Sequence, residues 1–191
     1  MKILKILLSA VGALAALFLL VAAFLPSSYT VERSIEINKP PAVVFEQVAD
    51  FNNYLKWNPW SKLEPTAKNT ITGVQKQVGA SWMWEGSDQI GKGSLTLEKI
   101  EPYRALAFKL AFIAPYESEA SDSWTFEQTP NGTKATWHNT GELPYPMMRY
   151  MGLMLEGMLG PQFEQGLYDL KALSEAQPEP ALMNEAMSDK R

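Results

Sequence analysis

The 191-residue chain is long enough to bury one well-packed domain and too short for two of ordinary size. Its net charge of -4 and its pI of about 5.1 provide no basic surface for phosphates, which argues against a nucleic-acid partner. It has no cysteine and one histidine, His138, which excludes disulfides, thiol nucleophiles and metal sites of cysteine or clustered imidazole. We therefore predict neither a metal nor a cofactor.

Residues 1–28 differ in composition from the rest of the chain. Positions 6–25 carry no charge, and Lys2 and Lys5 precede them. This length matches the roughly 20 residues that a helix needs to cross a bilayer. A signal peptide cleaved near positions 21–23 (Val-Ala-Ala) is the alternative, although its apolar stretch usually runs only about 7 to 15 residues. We predict a retained anchor, with the N-terminus in the cytoplasm because the positive charges precede the span.

The next forty residues predict one strand and two short helices. Residues 29–37 alternate apolar and polar side chains, as a half-buried strand does. Residues 42–51 place valines and phenylalanines at helical spacing after two prolines, which the first turn of a helix tolerates. A second short helix is predicted around Tyr54 and Trp57, ending at Asn58 because the residue before Pro59 avoids the helical region.

Residues 70–140 predict an antiparallel sheet. Apolar side chains alternate in short runs that are separated by turn residues, and no helical pattern interrupts them. Residues 130–132 (Pro-Asn-Gly) join two such runs, which is a strong hairpin signal. With the first strand, the sheet has six or seven strands.

One long helix is predicted from about residue 146 to 175, since apolar residues recur there at every third or fourth position. Gly160-Pro161 should kink or break it, because proline lacks a backbone donor and clashes with the preceding turn. Residues 176–191 are polar and contain two prolines, so we expect a disordered tail. The order of elements predicts an α+β domain over residues 29–175, in which the sheet buries its apolar face on the long helix.

Four stretches resemble segments found in the same order in one superfamily. They read RSIEINKPPAVVFEQVADFNNYLKWNPW, VGASWMWEG with IGKGSLTLEKIEP, GTKATWHNTGELP and GPQFEQGLYDLKAL. The chain thereby resembles bacterial members of the SRPBCC or START-like (Bet v 1-like, polyketide cyclase and lipid-transport) superfamily over residues 29–175. The resemblance implies a helix-grip fold, in which a curved sheet wraps the long helix around a cavity. Members bind sterols, lipids, quinones, polyketides or plant hormones, a few catalyse cyclisation, and some bind other proteins, so the fold alone does not establish the function.

Aromatic strand positions and the methionines of the long helix are the candidate ligand-binding residues. One alternative is that the aromatic residues only fill the core, and another is that the methionines plug the cavity instead of lining it. Gly152, Gly157 and Gly160 suggest a mobile or kinked first half of the helix, or else a close approach to the sheet. The predicted ligand-binding residues are Trp82, Trp84, Phe108, Phe112, Trp124, Trp137, Met151, Met154 and Met158.

No catalytic residue is predicted. The alternation that points Trp137 into the cavity points His138 away from it. Asp122 shares the parity of Trp124 and could lie inside the mouth of the sheet, but a solvated strand end is the more usual position for such a residue. No spacing signals a nucleophile or a carboxylate dyad.

The leading hypothesis is a single-pass protein of the bacterial inner membrane, whose extracytoplasmic domain binds a hydrophobic small molecule or lipid. A cyclase or isomerase that uses Asp122 on a hydrophobic substrate is one alternative. The other is an envelope protein-interaction module with a filled core and no ligand.

Overall fold

The computed structural model describes residues 2–178. The prediction of a disordered tail therefore falls almost entirely outside the described residues. The elements in chain order are α1 (Lys2–Phe24), β1 (Ser28–Ile37), α2 (Pro41–Ala49), α3 (Phe51–Trp57), α4 (Pro59–Leu63), β2 (Lys68–Thr72), β3 (Ser81–Glu85), β4 (Lys92–Glu101), β5 (Ala105–Ala114), β6 (Ser118–Thr129), β7 (Gly132–Glu142) and α5 (Met147–Glu175).

The seven strands form one antiparallel sheet in the order β1-β7-β6-β5-β4-β3-β2. Strands β2 to β7 pair with their neighbours in sequence, and only β1 pairs across the chain, with β7. Helix α5 makes its most extensive contacts with β1. This arrangement is the helix-grip fold, and it confirms the α+β prediction.

Three short helices follow β1 where the sequence predicted two. Helix α3 ends at Trp57, as predicted, but the chain turns at Asn58 and starts α4 at Pro59. The Asn58 side chain caps this new helix, because its Oδ1 accepts from the backbone N–H groups of Trp60 and Ser61 at 3.0 and 3.2 Å. Proline at the first helical position loses no hydrogen bond, so a proline that ends one helix can begin the next.

Helix α5 continues without a break through Pro161. Proline removes the hydrogen bond to the carbonyl of Gly157, four residues earlier, but Gly157 is exposed, so water can reach that carbonyl. Ion pairs from Arg33 on β1 to Glu156 and Glu164, at 2.7 and 2.8 Å, hold the helix on both sides of the proline. Tertiary contacts thus maintain a helix that local sequence disfavours.

The core lies between the sheet and the second half of α5. The Trp137 ring stacks on Trp124 and on Phe163, with ring centroids 4.7 and 4.1 Å apart. Gly166 permits this approach of helix to sheet, since a Cβ there would lie 2.9 Å from the Trp137 ring. The predicted burial of the sheet's apolar face on the long helix is confirmed.

Helix α1 is exposed along most of its length. Among residues 2–178 it is the one helix long and apolar enough to cross a membrane, with a mean hydropathy of 2.7, although a signal sequence would meet the same criteria. Its C-terminal part contacts the start of α5.

Candidate functional site

A cavity of about 240 Å³ lies between the concave face of the sheet and helices α3, α4 and α5. Every strand of the sheet contributes to its wall, which is largely apolar and aromatic. The aromatic lining includes Trp60, Trp82, Trp84, Phe112, Trp137 and Phe163.

Two tryptophans of β3 form one side of the wall, and both indole N–H groups already donate hydrogen bonds within the protein. The Trp82 indole N–H donates to Oδ1 of Asn69 at 2.8 Å, and that of Trp84 donates to the Ile90 carbonyl at 3.1 Å. Gly93 lies opposite Trp84 in the register, and a Cβ there would be 2.4 Å from the Trp84 ring. The ring can lie across β4 only because position 93 has no side chain.

A buried carboxyl group is one of the polar groups that line the cavity. Asp122 is 3% exposed and lies directly opposite Asn139 in the β6–β7 register. Its Oδ1 accepts from the Trp137 indole N–H at 2.8 Å and from the Asn139 amide at 3.3 Å. The Tyr29 hydroxyl in turn donates to Oδ1 of Asn139 at 2.8 Å. A chain of hydrogen bonds thus runs from β1 through β7 to the carboxyl on β6.

The second oxygen of this carboxyl remains available. Both hydrogen bonds that the described residues donate to Asp122 go to Oδ1, and Asp122 lines the cavity. A carboxylate oxygen accepts up to two hydrogen bonds, so Oδ2 can receive a donor from a molecule in the cavity.

Burial raises the pKa of Asp122 from 3.8 to about 7, because the charged form loses its hydration. The hydrogen bonds from Trp137 and Asn139, and to a smaller extent the nearby buried indole N–H of Trp124, favour the charged form and offset part of this increase. Burial, and next the charge of Asp122, raise the pKa of Tyr29 and of Tyr54, so both phenols stay protonated near neutral pH. Asp122 can therefore exist as acid or as base near pH 7, next to groups that remain neutral.

The mouth of the cavity is marked by its exposed lining residues, Asn69, Gln89 and Phe112. They lie near the start of β2, in the loop between β3 and β4, and near the end of β5. The antiparallel register places all three at the end of the sheet where β1 begins. The cavity thus opens near the α1 end of the domain.

The predicted ligand-binding residues occupy three different positions. Trp82, Trp84, Phe112 and Trp137 line the cavity. Phe108 and Trp124 are fully buried in the core outside its lining, and the Trp124 ring stacks on the lining residue Trp137. Met151, Met154 and Met158 lie on the exposed face of α5 and do not line the cavity.

Leu159 and Phe163 supply the α5 part of the lining instead. The long helix presents apolar residues on two faces along its first half, and the spacing alone does not say which face meets the sheet. Gly152 lies close to Leu143, and Gly160 lies close to Arg33. These two contacts support the close-approach explanation for both glycines.

His138 is half-buried and outside the cavity, with Nδ1 3.4 Å from Oγ of Ser123 on the opposite face of the sheet. Asp122 lies inside the cavity, in contrast to the solvated position usual for such a residue.

Sequence reasoning overlooked Tyr29, Tyr54 and Asn139. For Asn139 a signal existed, because the two-residue turn at 130–131 pairs Thr129 with Gly132 and, by counting back along both strands, Asp122 with Asn139. For Tyr29 no local signal exists, since the pairing of β1 with β7 spans more than a hundred residues.

Comparison with known proteins gives the family. The sequence profile described as polyketide cyclase / dehydrase and lipid transport matches residues 28–175. The chain belongs to this family, which is part of the SRPBCC or START-like superfamily. No curated protein matches the sequence.

Solved structures share the fold at low sequence identity. Protein CV1439 from Chromobacterium violaceum is 15% identical, with a TM-score of 0.58 over 78% of this chain and 99% of that one. Ara h 8.0201 is 13% identical, with a TM-score of 0.54 over 78% and 99%. The di-domain ARO/CYC StfQ of the steffimycin biosynthetic pathway is 12% identical, with a TM-score of 0.58 over 78% of this chain and 51% of that one. At these identities the likeness establishes the fold alone.

Proposed function

We propose that the protein is a membrane-tethered binding protein that holds a small hydrophobic molecule bearing one hydrogen-bond donor. The observation that carries this proposal is the free Oδ2 of Asp122 inside an otherwise largely apolar, aromatic cavity. Apolar walls with a few placed polar groups are typical of sites for small ligands.

The volume of the cavity limits the size of the ligand. Drug-sized ligands occupy pockets of about 300 to 1,000 Å³, and an apolar cavity of about 150 Å³ accommodates benzene. At about 240 Å³ this cavity fits a molecule of one or two rings, or a short chain. A whole lipid would require the walls to move apart, so we propose a compact ligand or only the end of a longer one.

The polar requirement follows from the cost of burying the carboxyl. A buried polar group without a partner costs about 1 to 3 kcal/mol, and more when it is charged. A hydroxyl, amide or amine of the ligand that donates to Oδ2 would remove this cost and orient the molecule with its apolar part toward Trp82 and Trp84.

The tether is α1, which we propose is retained in the bacterial inner membrane with the domain outside the cytoplasm. The domain interacts with the C-terminal end of α1, where Nη1 of Arg149 donates to the carbonyls of Ala22 and Ala23 at 3.1 and 3.4 Å. A cation at the C-terminus of a helix satisfies its free carbonyls and complements its dipole. Cleavage at residues 21–23 would discard these contacts, which supports retention.

Native mass spectrometry of the full chain, extracted from its host membrane in detergent, tests the proposal. We expect an additional small mass on the wild-type protein that is lost in Leu110→Trp, because Leu110 lines the cavity and the larger side chain fills it. Leu63→Trp is the matched control, since Leu63 is exposed and outside the cavity. A wild-type protein that carries no mass, or a mass that Leu110→Trp retains, would contradict the proposal.

A second candidate function is acid-base catalysis on a hydrophobic substrate of the cyclase or isomerase type. Asp122 favours it, since a general acid or base works best when its pKa lies near the operating pH. Turnover of the recovered molecule by the wild type, and its loss in Asp122→Asn while the molecule still binds, would favour this candidate over simple binding. The third alternative, an interaction module, required a filled core, and the cavity gives it no support.

A further inference from the structure

The first half of α5 carries an exposed apolar stripe. Met147, Met151, Met154 and Met158 follow one another at spacings of four, three and four residues, so they share one face of the helix. They are 61%, 46%, 63% and 57% exposed. We call these four residues the methionine stripe. Contiguous apolar patches of this kind mark sites of contact with a membrane or another protein.

The stripe lies at the same end of the sheet as α1. Three residues separate α1 from β1, four separate β7 from α5, and β1 begins opposite the end of β7. The turn between β5 and β6 lies at this end too, by the register of β6 with β7. At the end of β5 and in this turn, Ile113 and Tyr116 are 48% and 83% exposed. Two exposed apolar segments thus occur at the anchor end of the domain.

The contacts between α1 and α5 indicate how close the stripe lies to the membrane. The Tyr150 ring stacks on Phe18 at 4.5 Å, and its hydroxyl donates to the Phe18 carbonyl at 2.7 Å. Phe18 precedes the last residue of α1, Phe24, by six positions, which is about 9 Å along the helix axis. Helices that lie in a membrane surface bury their apolar face about 5 to 10 Å deep, and tyrosine is enriched at that level.

We infer that this end of the domain lies in the surface of the bilayer that holds α1, with the methionine stripe and the β5–β6 turn in contact with lipid. The inference rests on the proposed function, since it requires α1 to stay in the membrane. Lipid is the occupant because Arg149 and Tyr150, in the same turns of α5 as the stripe, contact α1, whose own surface is apolar and exposed.

The contact is apolar and not electrostatic. Residues 147–158 contain one cation, Arg149, and one anion, Glu156, and the β5–β6 turn contains one anion, Glu117, and no cation. Arg149 binds the carbonyls of α1, and Glu156 pairs with Arg33. Neutral lipid is therefore sufficient, and salt should leave the contact unchanged.

The position of the cavity mouth gives this surface a role. Phe112 lies both at the mouth and next to the exposed end of β5. With this end of the domain in the bilayer, an apolar molecule passes between lipid and cavity without crossing bulk water.

Depth-dependent quenching of single-cysteine variants tests the inference, and the absence of native cysteine makes labelling specific. The full chain is reconstituted in phosphatidylcholine vesicles that contain nitroxide-labelled acyl chains. An environment-sensitive fluorophore is attached in turn at Met154→Cys, at Leu14→Cys in α1, and at Glu127→Cys near the far end of β6. We expect the label at position 154 to be quenched several-fold more than that at 127, and less than that at 14, equally at low and high salt. Met158→Cys should repeat the result.

Three outcomes would overturn the inference, and each is distinct. Quenching at 14 with none at 154 leaves the tether intact and shows that the stripe is in water. Absence of quenching at 14 shows that the tether itself, and so that part of the proposed function, is wrong. The third outcome is a label at 154 that neither aqueous iodide nor lipid nitroxide quenches, together with a disulfide between two copies of the unlabelled Met154→Cys protein. This result shows that a second chain covers the stripe.

Discussion

At the inner wall of the cavity, Asp122 combines three properties that its neighbours create. Trp137 and Asn139 donate hydrogen bonds to one carboxylate oxygen, burial raises the pKa to about 7, and the residue lines the cavity in which a ligand would lie. Tyr29 orients Asn139 from the neighbouring strand. Asp122 therefore determines the proton balance of the site, while Tyr29, Ser61 and Asn139 also contribute polar groups to its lining.

We predict that Asp122 makes the stability of the protein decrease as the pH rises from 5 to 8. Its pKa is higher in the folded than in the unfolded chain, so between these two values the folded state binds more protons, and raising the pH favours unfolding. The free energy of unfolding should fall by roughly 3 kcal/mol between pH 5 and pH 8, and the fall is complete above the pKa that Asp122 has in the folded protein. Urea unfolding of the full chain in detergent, followed by tryptophan fluorescence, measures it.

Asp122→Asn is the control for this prediction, since the amide does not titrate. The unfolding free energy of Asp122→Asn minus that of the wild type should therefore increase as the pH rises over this range. Parallel profiles for the two proteins would show that Asp122 does not hold a proton near neutrality.

Helix α5 is the element in which local and tertiary preferences differ most. Its first half has an exposed glycine and a row of exposed methionines, whereas its second half packs Phe163, Leu167 and Leu170 into the core. The helix is continuous because burial of the second half and the ion pairs of Arg33 stabilise both sides of Pro161.

Two glycines of α5 should respond in opposite directions to substitution by alanine. Gly157→Ala should raise the free energy of unfolding by about 1 kcal/mol, because alanine favours the helix and a Cβ at this position meets no atom within 4 Å. Gly166→Ala should lower it by about 1 to 3 kcal/mol, because the new Cβ would lie 2.9 Å from Trp137 and 3.1 Å from Pro59. Denaturant titration of both variants provides the comparison, and equal shifts of the same sign would contradict the packing described for α5.

For the whole molecule, the relation between α1 and the domain determines where the cavity acts. Side chains of Tyr145, Arg149 and Tyr150 donate to carbonyls of α1, and all three lie at or near the start of α5. In the proposed arrangement, these contacts direct the cavity mouth toward the bilayer, and they require α1 to be present.

We predict that the mature protein keeps α1. Intact mass spectrometry of the protein isolated from its membrane should give a chain that includes residues 2–24, and alkaline carbonate should not release it. A mature N-terminus near residue 24, with the domain recovered in the soluble fraction, would show that the segment is a signal peptide. Arg149→Ala is expected to weaken the attachment of the domain to α1 and to leave retention unchanged.

The sequence by itself determined the family, the apolar N-terminal segment and the order of elements apart from α4. These depend on periodicity, turn residues and length, which are local properties, and for this reason the hairpin at residues 130–132 and the long C-terminal helix were predicted correctly. Trp82 and Trp84 were correctly expected on a buried face, since alternation along one strand is sufficient to place them together.

Only the tertiary structure decided which residues line the cavity. Curvature of the sheet brings residues from seven strands to one space, and the rotation of α5 turns Leu159 and Phe163 inward and the methionines outward. The burial of Asp122, and with it the raised pKa, arises from the pairing of β6 with β7 and from the helices that cover them. Such properties depend on contacts between residues far apart in the chain, and no local pattern encodes the loss of water around a side chain.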